Sequence, residues 1–426
     1  MKKNSISIKI NKKKIISNLN NLKEKYYEVQ KSKYWYPLMM PTYNEKEIMQ
    51  ALHSMITFNT TMFNKTMKFE KKFSSFNKTK YSVMVNSGSS ADLLISFTLV
   101  DRLLRILKKG DEVIIPILTW PTHIWSVIMA GLKVKFVDIN PDNLNIDINI
   151  LKKSITKNTK AIFLVHVLGN PCPMKEILSI AKKHNLLILE DCCEALGAKY
   201  NNKNVGNFGL AASFSFFFAH HMNTMEGGMI VTNSKKIMNN LKVIRAHGWR
   251  RAIIKNFNNS YINFYKKFEF LNWGFNVRPT ELQAGFGIEQ LKKIYLFNKN
   301  RKIFFNRFYN AFKNSVYFYF PKVEPESEPS WFAIPIILKK NCPFNRNIIL
   351  KYLEREGVET RPIIVGNLAN HPVNKLFPEF SRKIFNGANY IHNNGFYIGL
   401  NPMVNIKVMD ILIKKFNYFF NNYSKI

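Results

Sequence analysis

The stretch KAIFLVHVLGNPCPMKEILSIAKKHNLLILEDC, residues 160–192, reads as a strand, a helix and a second strand, and it sets the fold class. Its two outer runs, KAIFLVHVL (160–168) and LLILEDC (186–192), are continuously apolar rather than alternating, which suits strands buried on both faces. Between them PMKEILSIAKKHN (173–185) spaces its apolar residues at helical intervals. The same alternation continues outward in both directions. Upstream lie YSVMVN (81–86), DEVIIPIL (111–118) and KVKFVDI (133–139), and downstream ASFSFFF (212–218) and GMIVTN (228–233). With helices such as SSADLLISFTLVDRLLRILKK (89–109) between them, these runs predict an α/β domain around a mostly parallel sheet.

Past residue 250 the pattern changes. Residues 251–275 are aromatic and irregular, 279–312 read as one long helix leading away, and the proline-rich PKVEPESEPS (321–330) ends it. A smaller α+β unit follows, with strands expected at WFAIPIIL (331–338), VETRPI (358–363) and FYIGL (396–400). The expected division is an N-terminal extension over 1–35, a large domain with its connecting helix over 36–320 and a small C-terminal domain over 321–426.

Composition excludes several classes. At 426 residues and 46% hydrophobic content the chain can bury a large core. The net charge of +35 comes mostly from lysines scattered through every segment, without zinc-finger spacing or an RNP-like motif, so nucleic acid is not an expected partner. Val113 to Leu132 is uncharged and as long as a membrane span, but Pro116, Pro121, Thr119, Thr122 and His123 interrupt it; a buried strand, a turn and a core helix explain it better. The basic N-terminus runs into NLNNLKEKYYEVQ rather than an apolar stretch, which does not read as a signal peptide. Four cysteines, Cys172, Cys192, Cys193 and Cys342, form no Cys-x-x-Cys, so neither a disulfide framework nor a metal site is expected, and a reducing cytoplasmic setting is the simpler reading.

In open α/β sheets the ligand site lies beyond the carboxyl ends of the strands. After the first strand, Gly88 permits close backbone approach and Ser89 opens a helix whose free amides suit a phosphate; a serine cap after a turn glycine is the plainer alternative. After the second, Trp120 can stack on a flat heteroaromatic ring or pack in the core. Asp191 ends a very apolar strand, where a buried carboxylate needs a partner: a protonated pyridine nitrogen, a structural arginine or backbone amides. Glu194 follows one turn later and can face a neighbouring hydroxyl. In FSFFFAHHMNTMEGGMI a hydroxyl at Ser215 precedes His220 and His221, which cannot both face one pocket from a regular element.

Together these residues resemble the DegT/DnrJ/EryC1/StrS family, from about Tyr36 to Tyr423. The resemblance implies the aspartate-aminotransferase fold, a homodimer with shared sites, and pyridoxal 5′-phosphate or its amine form, pyridoxamine 5′-phosphate, as cofactor. It implies phosphate contacts from Gly88, Ser89 and Ser215, a ring stacked on Trp120 and a ring nitrogen bonded to Asp191. Gly274-Phe275-Asn276 matches a family motif in which the asparagine reaches the phosphate of the other subunit's cofactor. Counting five residues forward from Ser215 and six back from Glu226, the family's cofactor-binding lysine falls at His220.

The runs HVLGNPCPM, EDCCEALGA, AHHMNTMEGG, PSWFAIPI and TRPIIVGN resemble the branch that replaces this lysine by histidine. That branch comprises nucleotide-sugar 3-dehydratases acting on 4-keto-6-deoxyhexoses in deoxysugar and surface-polysaccharide biosynthesis. An imidazole cannot make the lysine's covalent link to the cofactor, but it suits proton transfer near pH 7, so the resemblance makes His220 the catalytic base. One subclass carries a [2Fe–2S] cluster and works on CDP-sugars with a reductase. The other uses L-glutamate and acts on GDP-4-keto-6-deoxymannose. Residues 247–264 contain none of the cysteines of the first kind, so no iron–sulfur cluster is expected and the glutamate-dependent route is favoured. Arg278 and Arg361 are candidates for the sugar diphosphate or the glutamate carboxylate, with surface or structural roles as the alternative. The remaining alternatives are the CDP-sugar enzyme and a non-catalytic member with a binding role. An ordinary aminotransferase would need a lysine near 220, and none stands between Asn204 and Ser234.

Overall fold

All seven expected strands form and pair into one sheet. The computed structural model describes Ser17 and residues 33–253, 265–266, 268–377 and 384–425. The strands are β1 (Tyr81–Val85), β2 (Glu112–Pro116), β3 (Lys133–Val137), β4 (Thr159–Val165), β5 (Leu187–Asp191), β6 (Ala211–Ser215) and β7 (Gly228–Thr232). They lie in the order β1-β7-β6-β5-β4-β2-β3. The pairings β6–β5, β5–β4, β4–β2 and β2–β3 are parallel, and β7 alone runs antiparallel to both neighbours. The central strands are buried along nearly their whole length, which is why their sequences are apolar without alternation.

Two helices fix the site. Helix α1 (Gly88–Leu99) follows β1, and α2 (Pro121–Met129) follows β2 with proline in its first turn. The helix expected over 89–109 stops ten residues early. Asp101 takes the amides of Leu103 and Leu104 (2.8 and 3.3 Å), Arg105 adopts φ 48°, and Leu107 N–H bonds back to the Leu99 carbonyl. An aspartate that serves local amides competes with helix continuation although the leucine spacing persists. The long helix α3 spans Glu281–Phe312 and starts with a capping box between Thr280 and Gln283.

A second, antiparallel sheet contains β8 (Phe318–Tyr319), β9 (Ala333–Leu338), β10 (Thr360–Arg361) and β11 (Gly395–Gly399), ordered β8-β9-β11-β10. The strand expected at 358–363 shrinks to two residues, and β8 is additional; a two-residue strand carries too little pattern to be read. Within the proline-rich 321–330, Ser327–Glu328 pairs with Lys199–Tyr200, so this stretch also forms part of a small three-stranded sheet.

The two sheets are tied by a capping contact. Asp138, just after β3, accepts from the Gly387 and Ala388 amides (2.7 and 2.9 Å) in the first turn of α4 (Asn386–Asn394). A Cβ on Gly387 would lie 2.0 Å from the Ile139 carbonyl oxygen, so only glycine allows this approach. Among the described residues no helix is long and apolar enough to cross a membrane. The extension expected over 1–35 lies, apart from Ser17 and residues 33–35, outside the described residues, as do 254–264 and 267 of the irregular aromatic segment.

Candidate active site

The carboxyl ends of β1, β2, β5 and β6 open into one cavity of about 350 Å³. At its β1 end, Ser87 caps α1: its hydroxyl accepts from Ser90 N–H (3.1 Å) and its carbonyl from Ala91 N–H (3.2 Å). The amides of Gly88 and Ser89, in the cavity wall, have no such partner among the described residues, as expected at the first turn of a helix. A Cβ on Gly88 would stand 2.7 Å from the Ser215 Cβ. The glycine therefore brings a helix N-terminus and a hydroxyl together. That arrangement suits a phosphate.

Trp120 caps α2 from the second strand and is 53% exposed, so its indole is a wall of the cavity rather than core packing. On the floor stands a residue the sequence reading missed. His123, in the first turn of α2, is buried with Nε2 3.0 Å from Asp191 Oδ2 and 3.5 Å from Asp92 Oδ2. Its Nδ1 lies 2.7 Å from Thr119 Oγ1 and 3.0 Å from the Trp120 carbonyl. Burial opposes its charge, but Asp92 and Asp191 outweigh that and hold its pKa up at about 9. Asp191 is likewise opposed by burial, yet the charge of His123 and the Cys193 amide (2.8 Å) hold it below the usual carboxylate range. Burial pushes Asp92 up to about 6, against the pull of His123. The sequence signal for His123 was its place three residues after Trp120, on the helix that leaves a strand end.

His220 belongs to the side wall. It sits in the connection from β6 to β7, with Nδ1 3.3 Å from Ser215 Oγ, and its ring leans on Phe332 at 5.4 Å. Burial, seconded by the positive Arg301, pushes its pKa down to about 4 against the attraction of Asp191. The apolar wall thus favours the neutral ring, the form that can accept a proton near pH 7. His221 points away, fully buried, with Nε2 2.9 Å from the Ser330 carbonyl. Behind His220 lies a second cavity of about 240 Å³, lined by Arg301, Glu359 and Asn401; Arg361 and Tyr397 border both cavities. Tyr397 was also missed by the sequence reading.

Glu194 lines the first cavity with one carboxylate oxygen taken by the Leu168 amide (2.9 Å), and burial raises its pKa to about 7. Asn276 and Arg278 are not brought there. Asn276 is exposed and accepts from Arg278 Nε (2.9 Å), whose guanidinium lies 5.6 Å from the Trp249 ring. His166, Glu190 and Cys192 cluster in the core at metal-ligand spacing. However, both Glu190 oxygens already accept from backbone amides, of Gly206, Phe208 and Gly209 (2.7–2.8 Å), and His166 Nδ1 takes the Cys172 amide. The carboxylate acts as a loop anchor.

A free helix N-terminus, a hydroxyl, an exposed indole and an ionised floor carboxylate in one cavity fit a flat ring carrying a phosphate and a basic nitrogen.

The known proteins point the same way. The chain is 40% identical to GDP-4-keto-6-deoxy-D-mannose 3-dehydratase of Yersinia pseudotuberculosis over 372 residues, 85% of this chain and 93% of that one. The structure of the Escherichia coli GDP-4-keto-6-deoxy-D-mannose-3-dehydratase with bound hydrated PLP matches at TM-score 0.84 and 37% identity, covering 90% of this chain and 99% of that one. Another structure of such a dehydratase, with a trapped PLP-glutamate geminal diamine, matches at TM-score 0.83 and 37% identity, covering 89% and 99%. The expected aspartate-aminotransferase fold is thus borne out, and the sequence pattern of the DegT/DnrJ/EryC1/StrS aminotransferase family matches residues 42–416. By sequence, fold and the layout of its cavity, this chain belongs to the DegT/DnrJ/EryC1/StrS aminotransferase family.

Proposed function

We propose that the chain is a nucleotide-sugar 3-dehydratase that removes the C3 hydroxyl of GDP-4-keto-6-deoxymannose. It uses pyridoxal and pyridoxamine phosphate as cofactor and L-glutamate as the amine donor, and works as a cytoplasmic homodimer. The observation that carries this reading is His220: the cavity wall offers an imidazole beside the Ser215 hydroxyl, and no lysine among the described residues lines the cavity. The names of the similar enzymes support the substrate and the two small-molecule partners.

When bound, the cofactor supplies an amine that condenses with the sugar ketone and a ring that accepts an electron pair. The amides of Gly88 and Ser89 and the Ser215 hydroxyl would hold its phosphate, and Asn276 would serve the site of the partner subunit. Trp120 would stack on the ring, Asp191 would pair with its nitrogen and Glu194 with its hydroxyl. His220 makes no covalent tether. In the tautomer with Nδ1–H directed at Ser215 Oγ, which also accepts from the Phe217 amide, the Nε2 lone pair is free to take the proton whose departure lets the C3 hydroxyl leave. The pKa near 4 leaves that lone pair free throughout the neutral range. Arg361, which borders both cavities, holds an anionic end of sugar nucleotide or glutamate, while Arg278, away from this cavity and beside Asn276, is available to the site of the partner subunit.

Incubation with GDP-4-keto-6-deoxymannose, L-glutamate and pyridoxal phosphate tests the reading. Ammonia and 2-oxoglutarate are expected together, one of each per sugar deoxygenated. Absence of both products, with GDP- and CDP-linked sugars alike, overturns it.

A further inference from the structure

The floor of the cavity contains three ionisable side chains in a row where the family resemblance assigned a task to one. His123 Nε2 lies between Asp92 Oδ2 and Asp191 Oδ2, at 3.5 and 3.0 Å. Both carboxylate oxygens are within ion-pair distance of Nε2, though neither is aligned as a hydrogen-bond acceptor from it; Nδ1 lies 3.0 Å from the Trp120 carbonyl, which can only accept, beside the Thr119 hydroxyl at 2.7 Å, which can donate or accept. Two carboxylates at one nitrogen and a carbonyl at the other favour the imidazolium over the neutral ring. All three side chains are at least nine-tenths buried, and His123 meets the Phe163 ring edge-to-face at 5.0 Å, so little water screens their charges. Asp92 Oδ2 takes the Thr122 hydroxyl (3.1 Å), and its buried Oδ1 has only the Ser213 hydroxyl nearby, without a well-formed hydrogen bond. His123 is thus its main counter-charge.

We propose that Asp92, His123 and Asp191 form a charge-alternating chain, negative, positive, negative, that ends on the cofactor's ring nitrogen and sets how firmly that nitrogen holds its proton. This rests on the cofactor reading given above. Asp191 touches the ring; Asp92 and His123 act through it as positioning residues. The protonated ring adds the fourth, positive member and brings the buried row to neutrality. Removing Asp92 leaves an excess positive charge, which the ring relieves by giving up its proton more readily. Removing His123 leaves an excess negative charge, which holds the ring proton more tightly. The other groups facing the row are the Ser213 and Thr122 hydroxyls at Asp92, and Cys193, Glu194 and His220 around Asp191.

The test is the pH titration of the ring nitrogen, read by nuclear magnetic resonance on protein loaded with ¹⁵N-ring-labelled pyridoxal phosphate. Asp92→Asn is expected to lower the midpoint and His123→Gln to raise it, each by about one unit or more, and the double variant to return near wild type. Both single variants moving the same way, or the double variant compounding them, overturns the chain, because a merely structural role makes both changes loosen the same site. A second reading needs no variant: in the cofactor-free wild type the His123 imidazole is expected to keep both protons at pH 7, and a neutral ring there overturns the proposal. Wild-type protein that takes up no pyridoxal phosphate overturns the cofactor reading itself.

Discussion

His123 and His220 stand in walls of one cavity, the first under the ends of the parallel strands and the second in the connection to the antiparallel β7. They share a side-chain type and a neighbour, Asp191, yet burial leaves one charged and the other neutral. The difference lies in what replaces the lost water. At His123 two carboxylates lie within 3.5 Å and overcome desolvation; at His220 the replacements are the rings of Phe217 and Phe332, with Arg301 as an opposing charge. Residue type thus says little about protonation until the surroundings are known.

Exchange of the two histidines is the strongest way to break this contrast. His220→Asn is expected to lower dehydration by about 10²- to 10⁴-fold while pyridoxal phosphate affinity stays within about threefold, as for loss of a base. The initial rate of ammonia release and a fluorescence titration measure the two quantities. Equal losses of rate in His220→Asn and His123→Gln would erase the distinction between base and positioning residue.

Gly88→Ala probes the phosphate end that both walls share. The added methyl must displace Ser215, so a loss of about 1–3 kcal/mol in stability and about tenfold in cofactor affinity is expected. Retention of full affinity would place the phosphate elsewhere.

The opposite charge states also predict opposite pH dependence of the cofactor-free protein. For His220 the folded pKa of about 4 lies below the ordinary 6.5, so its contribution is intact above pH 6.5 and is lost as the pH falls toward 4. For His123 the folded value of about 9 lies above 6.5, so its contribution is intact below pH 6.5 and is lost as the pH rises through 9. Thermal melting across pH 4–9 should show His220→Asn flattening the acid limb and His123→Gln the alkaline one. A variant that flattens the other limb contradicts the assignment.

The smallest effect sharpens the comparison from outside. Asp138→Asn weakens the cap on α4 and should cost about 0.5–2 kcal/mol without moving either histidine's titration. Calorimetric melting checks the cost, and resonance titrations check the two rings.

Much of the fold was legible because strands buried on both faces must be apolar throughout, and all seven runs of the large sheet became strands. Helix length was less so: Leu103, Leu104 and Leu107 keep helical spacing, but Asp101 offers the backbone a competing partner. At the site, Gly88 and Ser215 could be picked out by their places at strand ends, and His220 through the family resemblance, by counting from Ser215 and Glu226. His123 had only its place three residues after Trp120 to mark it, since its role arises from Asp92 and Asp191, distant in the chain and brought near by the fold. The same holds for the charge state of His220, which depends on Phe332 and Arg301.

The contact between Asp138 and α4 joins atoms 249 residues apart in the chain. During synthesis the carboxylate is made long before the helix that it caps. A fragment ending near residue 320 therefore carries an acceptor prepared for amides not yet made, and the remaining piece, produced alone, begins α4 without a cap. Each part is thus chemically unfinished at the same seam.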